Sequence, residues 1–348
     1  MHLGSVAMFR LIGILITVLY AIATAIVVWP QFFHLEHTYP IAQLVSVRGA
    51  VTVGFVGVAL LFALLMLAKP LRGFAASIVI VSLLGAIAGG AIGAVRGFGT
   101  GSLPEKTEQS VRVMTWNTAG EAVSADAIAA EVLEQQADIV ALPETSEAVG
   151  ERIAISLREQ GHPMWVHHVQ YRPDIANGPQ AWQTTILISP ELGDYSVIES
   201  SADGSSNTGS VPSAVAMPVD GTGPTVVAVH AVAPRAEDMP RWRSDLAWIA
   251  DQCPSGNVIL AGDFNATVDH MASFGVEGGD MGACRDVATR TGNGVVGTWP
   301  ADLPELAGVP IDHVMASDAW TPSGSVVLDD AGGSDHRALV AQLEPSAD

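Results

Sequence analysis

The sequence predicts an α/β domain preceded by three transmembrane helices, and three observations carry that reading. Charge is segregated: residues 1–103 hold one acid, Glu36, and five bases, Arg10, Arg48, Lys69, Arg72 and Arg96, whereas thirty-five of the thirty-six acids lie beyond. The acid-poor part contains three apolar runs, at about 9–29, 49–68 and 73–95, each reaching the ~20 residues that cross a hydrocarbon core. Beyond residue 110, short β-branched runs alternate with stretches of helical periodicity, the pattern of an α/β fold.

The first run exceeds the roughly 7 to 15 apolar residues of a secretory signal and offers no small-residue cleavage site before Trp29-Pro30, so it is read as a span. Arg10 precedes it, Lys69 and Arg72 fill the link between the second and third spans, and residues 31–39 contain neither Lys nor Arg. By the positive-inside rule the N-terminus is cytoplasmic, which puts the C-terminal domain outside a cell membrane crossed several times; Arg48 and Arg96, at the outer ends, oppose this. Gly85, Gly89, Gly90 and Gly93 fit either close helix packing or a tolerant lipid-facing surface. Residues 1–97 thus form a membrane domain and 98–110, rich in Gly, Ser, Pro and charge, a linker, leaving one domain at 111–348.

Within that domain 111–116 alternates as a strand, and 125–136 is a helix capped by Ser124. Residues 139–142 form a buried strand, followed by a helix at 147–160 that Gly161 stops. Strands follow at 185–188 and 225–229, with a Ser/Gly/Asn-rich surface loop between them at 200–209. Asp238-Met239-Pro240 starts a helix that buries Trp242, Leu246 and Ile249, and strands at 258–261, 311–315 and 338–343 complete the set.

Several strands stop at polar groups. The run Val258-Ile259-Leu260-Ala261 ends, past Gly262, in Asp263 and Asn265; strand residues two apart face the same side, so both can enter one cleft, although Asp and Asn also form turns. Strand 111–116 stops at Asn117, 139–142 with Pro143 at Glu144, and 225–229 at His230. Asp312 and His313 sit inside a strand, and Ser334-Asp335-His336 precedes the last one. Carboxylates at separate strand ends suit Mg²⁺, with Mn²⁺ as the alternative, because such an ion takes few protein carboxylates and keeps water and substrate phosphate. Histidine beside a carboxylate offers an oriented imidazole for charge or proton transfer. Singly, each residue is equally explained by a turn, a solvated acid or a core histidine; together, in this order, they make a site.

Thr115-Trp116-Asn117, Leu142-Pro143-Glu144, Val229-His230, Gly262-Asp263-Phe264-Asn265, Ile311-Asp312-His313-Val314 and Ser334-Asp335-His336 resemble, over about 111–343, the endonuclease/exonuclease/phosphatase superfamily of deoxyribonuclease-like phosphohydrolases. The resemblance implies two packed mixed β-sheets flanked by helices, a four-layer sandwich, and an Mg²⁺-dependent phosphoric ester hydrolase. It implies Glu144, Asp335 and Asn117 at the metal, Asp263 orienting or deprotonating the attacking water, and Asn265 and Asn117 binding substrate. It further implies that Asp312 fixes the tautomer of His336, which with His230 stabilises transition-state charge. His230 lacks an evident acidic partner, and His313 is read as a filler at a variable position.

The expected function is a membrane-anchored phosphodiesterase, a nuclease among the options. A sphingomyelinase-like lipid phosphodiesterase or a phosphomonoesterase is the alternative, and a catalytically silent surface module the third reading. Thirty-five acids against eleven bases give residues 104–348 a formal charge near −24, and no basic stripe is visible, which counts against tight duplex binding. Arg235, Arg241 and Arg243 form the only local basic cluster. The expected partners are a phosphodiester (nucleic acid, lipid head group or small phosphoester) and the lipid bilayer; no protein partner is inferred. Cys253 and Cys284 flank the Asp263 strand and either remain buried thiols or form a disulfide contributing on the order of 3 kcal/mol. His167 and His168 are adjacent and would face opposite sides of a strand, so they are not read as a metal site.

Overall fold

The computed structural model describes residues 2–175, 178–198, 207–329 and 332–346. The surface loop expected at 200–209 lies outside the described residues over 200–206. The chain divides into two compact units, Met1–Val95 and Arg96–Asp348.

The first unit contains α1 (His2–Val28), α2 (Ile41–Ser46), α3 (Arg48–Leu65) and α4 (Arg72–Arg96). Among the described residues three helical stretches, Met8–Val28, Arg48–Leu65 and Lys69–Arg96, are long and apolar enough to cross a membrane. The second is three residues shorter at its end than the apolar run suggests, because Met66 to Leu71 turn back through a 3-10 helix at Lys69–Leu71. The glycines of α4 mark close approach: a Cβ at Gly85 would lie 2.9 Å from the Thr24 methyl of α1, and one at Gly89 would overlap the Thr52 hydroxyl of α3.

In the second unit the elements run β1 (Val111–Thr115), α5 (Ala125–Gln135), β2 (Ile139–Pro143), α6 (Glu147–Glu159), β3 (Trp165–Gln170), β4 (Gln183–Ile188), β5 (Tyr195–Ile198), β6 (Ala214–Pro218) and β7 (Thr225–His230). There follow α7 (Met239–Asp251), β8 (Val258–Asp263), α8 (Val268–Met271), β9 (Arg285–Asp286), α9 (Val287–Arg290), β10 (Asp312–Ala316), β11 (Trp320–Val327) and β12 (Leu339–Pro345). The first sheet is ordered β11-β12-β1-β2-β4-β3 and the second β5-β6-β7-β8-β10-β9. Both are mixed, since β1–β2 and β7–β8 pair parallel and the remaining pairs antiparallel.

Alternation decides which residues meet between the sheets. Val113, Ile139, Ile186 and Leu339 of the first sheet share a buried core with Val226, Ala228, Ile259, Ala261 and Val314 of the second. The opposite face of the first sheet, through Met114, Val140, Leu142 and Val340, packs on Ile128 and Val132 of α5 and Ile153 and Leu157 of α6. Ser124 caps α5 as expected, accepting from the Ala127 N–H. Residues before β1 are held rather than free: the buried Arg112 donates to the Pro104 carbonyl at 2.7 Å, and Lys106 pairs with Asp138 at 2.6 Å. Cys253 and Cys284 form a disulfide, with their Cα atoms 5.9 Å apart.

Candidate active site

Strand register lines up three site residues. The parallel pairing of β7 and β8 sets His230 beside Asp263, and the antiparallel pairing of β8 and β10 sets Asp263 beside Asp312. By alternation all three share the face of Ala228, Ala261 and Val314, which is turned toward the first sheet. Asp312 and His313 lie within β10, as expected, as its first two residues. Across the gap, Asn117 follows β1 and His336 precedes β12.

These two stretches are stitched together. Ser334 Oγ donates to the Asn117 carbonyl at 2.7 Å and accepts from the His336 N–H at 3.0 Å, while Trp116 Nε1 donates to the His336 carbonyl at 3.0 Å. Glu144 would by alternation point outward with Val140 and Leu142. Its backbone instead takes φ 60°, a conformation that costs about 1–3 kcal/mol for a residue with a Cβ. That turn brings its Oε1 to 3.3 Å from Asn117 Nδ2 and 3.9 Å from His230 Nε2.

Asp263 is the most constrained group. Its Oδ2 accepts from Asn117 Nδ2 and from Asn265 Nδ2, each at 3.1 Å, and its Oδ1 accepts from the Asn265 N–H at 2.8 Å. Asp263 and Asn265 therefore meet through a turn, with Asn265 at φ 46°, and not through continued strand alternation. Gly262 is required at this point: at φ 155° a Cβ would overlap the Val229 carbonyl of β7. His336 Nε2 stands 3.9 Å from Asp263 Oδ2, and its Nδ1 is 2.8 Å from Asp312 Oδ2.

Two amides face Asp263. Asn117 Oδ1 accepts from the Ala119 N–H at 3.0 Å, which turns its NH₂ toward the carboxylates of Glu144 and Asp263. The Asn265 NH₂ donates to the Ala231 carbonyl at 2.9 Å and to Asp263 at 3.1 Å. Both amides brace Asp263. Asp335 is exposed, and its Oδ2 accepts from Trp299 Nε1 at 3.0 Å.

Burial and charge set the protonation states. Burial alone would discharge His336, but the charge and hydrogen bond of Asp312, with Asp263 and Asp335, push its imidazole up to about 10. Burial and then the charge of His336 push His230 down to about 3, so it is neutral at pH 7, and its Nδ1 has no partner among the described residues. Asp263 is raised by burial and then by Asp312, against the pull of His336. Glu144 is raised chiefly by burial.

Glu144, Asp263, Asp312 and Asp335 lie close enough to perturb one another or His336. Among the described residues none of the four is paired with Lys or Arg. Such an excess of hard oxygen donors fits a divalent cation. Asp263, Asp312 and His336 each offer a ligand atom within 4.8 Å of the others. His336 Nδ1 and Asp312 Oδ2 already share a hydrogen bond, which leaves the half-buried carboxylate of Glu144 as the more open ligand.

Nothing in the sequence marks Thr298 or Trp299, and Trp242 reads there only as a core residue. Thr298 Oγ1 accepts from the N–H groups of Ile311 and Asp312 at 3.2 and 3.1 Å, and Trp242 Nε1 donates to the Asn265 carbonyl at 3.0 Å. None of the three stands at a strand end, the one signal that singled out the others.

Residues 114–336 match the sequence profile of the Endonuclease/Exonuclease/phosphatase family. Among solved structures, a humanized D. rerio TDP2 carrying 14 mutations superposes with a TM-score of 0.51 at 16% identity, covering 68% of this chain and 100% of that one. The endonuclease/exonuclease/phosphatase from Beutenbergia cavernae DSM 12333 gives 0.49 at 19% identity, over 69% of this chain and 72% of that one. Truncated Caenorhabditis elegans TDP2 gives 0.49 at 17% identity, over 68% and 98%. At these identities the first likeness speaks to the fold alone. No curated protein matches the chain in sequence. Members of the matched family are typically phosphoester hydrolases that use divalent metal ions. With a profile match over most of its length, the chain belongs to the endonuclease/exonuclease/phosphatase family.

Proposed function

We propose that this protein is a membrane-anchored, Mg²⁺-dependent phosphodiesterase centred on Asp263. The observation that carries the reading is the setting of Asp263 Oδ2: two amide donors hold it at 3.1 Å, and the His336 imidazole stands 3.9 Å away. A carboxylate so fixed can orient a water and take its proton, and its raised affinity for protons favours that transfer. His336, kept cationic by Asp312, stabilises charge on the phosphoryl oxygens. His230, neutral and buried, serves as an uncharged donor or acceptor facing Glu144. Glu144 and Asp335 would hold the cation, which when bound supplies charge neutralisation at the phosphate and its leaving oxygen.

In this proposal residues 1–97 are the membrane domain, 98–110 the connection and 111–348 the catalytic domain, placed outside the cell by Arg10, Lys69 and Arg72. Protease treatment of intact cells should then cut the catalytic domain, and protection would reverse the topology.

The function is tested with the full chain in detergent, supplied with Mg²⁺ and offered a chromogenic phosphodiester, single-stranded DNA, duplex DNA and sphingomyelin. Turnover of at least one, abolished by a chelator and reduced about 100-fold or more in Asp263→Asn, is expected. Absence of turnover on all four, or an unchanged rate in Asp263→Asn, removes the reading.

A further inference from the structure

His230, Asp263 and Asp312 lie on the inner face of the second sheet, and the next residue along β10 points the other way. His313 is 2% exposed and its partner Asp286 is fully buried, and the chemistry described so far uses neither. Nε2 lies 2.9 Å from the Ala266 carbonyl and 3.1 Å from the Pro310 carbonyl; carbonyls only accept, so Nε2 carries hydrogen. Nδ1 lies 2.7 Å from Asp286 Oδ1, and Asp286 Oδ2 accepts from the Thr289 N–H at 2.7 Å. The electrostatics favour an ion pair at the Nδ1 contact: burial opposes both charges, yet Asp286 raises His313 and His313 lowers Asp286.

The two carbonyls that His313 holds belong to the two segments that carry catalytic groups. Ala266 follows Asn265, whose φ of 46° is among the less favourable backbone states. Pro310 lies two residues before Asp312. The same turn and loop are joined by the Phe264 N–H donating to the Ile311 carbonyl at 3.0 Å, and Phe264 sets its ring edge-on to His313 at 5.4 Å. An apolar filler would take away the donor that Asp286 Oδ1 and the two carbonyls share in His313.

We propose that His313 is a positioning residue: held by Asp286, it clamps the Asp263–Asn265 turn to the entrance of β10 from behind the sheet, and so sets the spacing of Asp263, Asp312 and His336. This rests on Asp263 being the catalytic centre, so the test carries one readout that needs no turnover. In full-chain His313→Gln, hydrogen exchange of the Phe264 and Asn265 amides should quicken at least tenfold relative to the β2 amides. On the chromogenic phosphodiester, kcat should fall ten- to a hundredfold with KM within twofold. Asp286→Asn, which keeps a hydrogen-bond acceptor but removes the charge, should move both readouts the same way to a smaller extent. Unchanged exchange at the turn, equal acceleration throughout the domain, or failure of both variants to fold would each overturn the positioning role in favour of a purely structural one. If the wild type turns nothing over, the proposed function falls while the exchange comparison still decides the clamp.

Discussion

Asp312 and His336 come from opposite sheets and meet in a 2.8 Å hydrogen bond with both side chains buried. The pair therefore acts as one unit: the carboxylate fixes Nδ1–H, and Nε2 faces Asp263. Asp312→Asn keeps an acceptor but removes the charge that sustains the imidazolium. A loss of kcat of about 10²–10³ is expected, and Asp312→Asn/His336→Ala should be no slower than His336→Ala alone, as for residues that work together. Additive losses in steady-state kinetics would show two independent roles.

Glu144 reaches the cleft only because of its φ of 60°. Glu144→Gln keeps the side chain and the Asn117 contact but removes a charge that burial disfavours. The metal-free variant should melt no lower than wild type, while the Mg²⁺ concentration for half-maximal activity rises about tenfold or more. A metal titration with unchanged midpoint would place the cation elsewhere in the cleft.

How much of this was legible in the sequence depends on burial. β1, β2, β7 and β8 are buried along their lengths and stop at polar residues, so run and stop both show. β3 and β5 are edge strands that expose Trp165 and Ile198, and β11, also an edge, breaks its register between Pro322 and Gly324. With one flank in solvent and a bulge, such strands lose the apolar signal. The site's membership was readable for the same reason as its strands. The directions of the Asn117 and Asn265 amides were not, because the Ala119 N–H and the Ala231 carbonyl set them after folding. Asp286, brought to His313 from a different segment, left no mark at a strand end.

The Asp286–His313 pair also gives stability a pH signature. His313 is raised in the folded state, so its contribution is complete below its unfolded value of about 6.5 and is lost as pH rises through the folded value. Asp286 is lowered, so its contribution is complete above about 3.9 and is lost as pH falls through the folded value. Both are fully present between about pH 4 and 6.5. The difference in Tm between wild type and Asp286→Asn should be largest in that window and narrow on the alkaline side; a difference flat with pH would mean that the pair is not ionised.

The Cys253–Cys284 bond spans 31 residues and joins the end of α7 to the segment before β9. In the chain-entropy account it contributes on the order of 3 kcal/mol. For a domain of this size, reduction or the Cys253→Ala/Cys284→Ala variant should lower Tm by roughly 10 °C. Free-thiol counting before and after denaturation checks that the bond is formed, and an unchanged Tm on reduction would remove its stabilising role.

Gly262 offers the sharpest test of the register that builds the site. It pairs with Val229 of β7 on one side and His313 of β10 on the other. Its φ of 155° lies where a residue with a Cβ is strained, and the added carbon would overlap the Val229 carbonyl. Relief requires β7 and β8 to part, and His230 and Asp263 are the next pair in that register. Gly262→Ala should therefore cost about 3 kcal/mol or more and abolish turnover in whatever fraction still folds. Gly256→Ala is the control: at φ 99° it carries the same kind of backbone strain, but nothing lies within 4 Å of its Cβ position. Urea titrations of the two variants separate strain from overlap. If they lose stability equally, backbone conformation alone accounts for Gly262; a larger loss for Gly262→Ala assigns the excess to the closeness of β7 and β8 beneath Asp263.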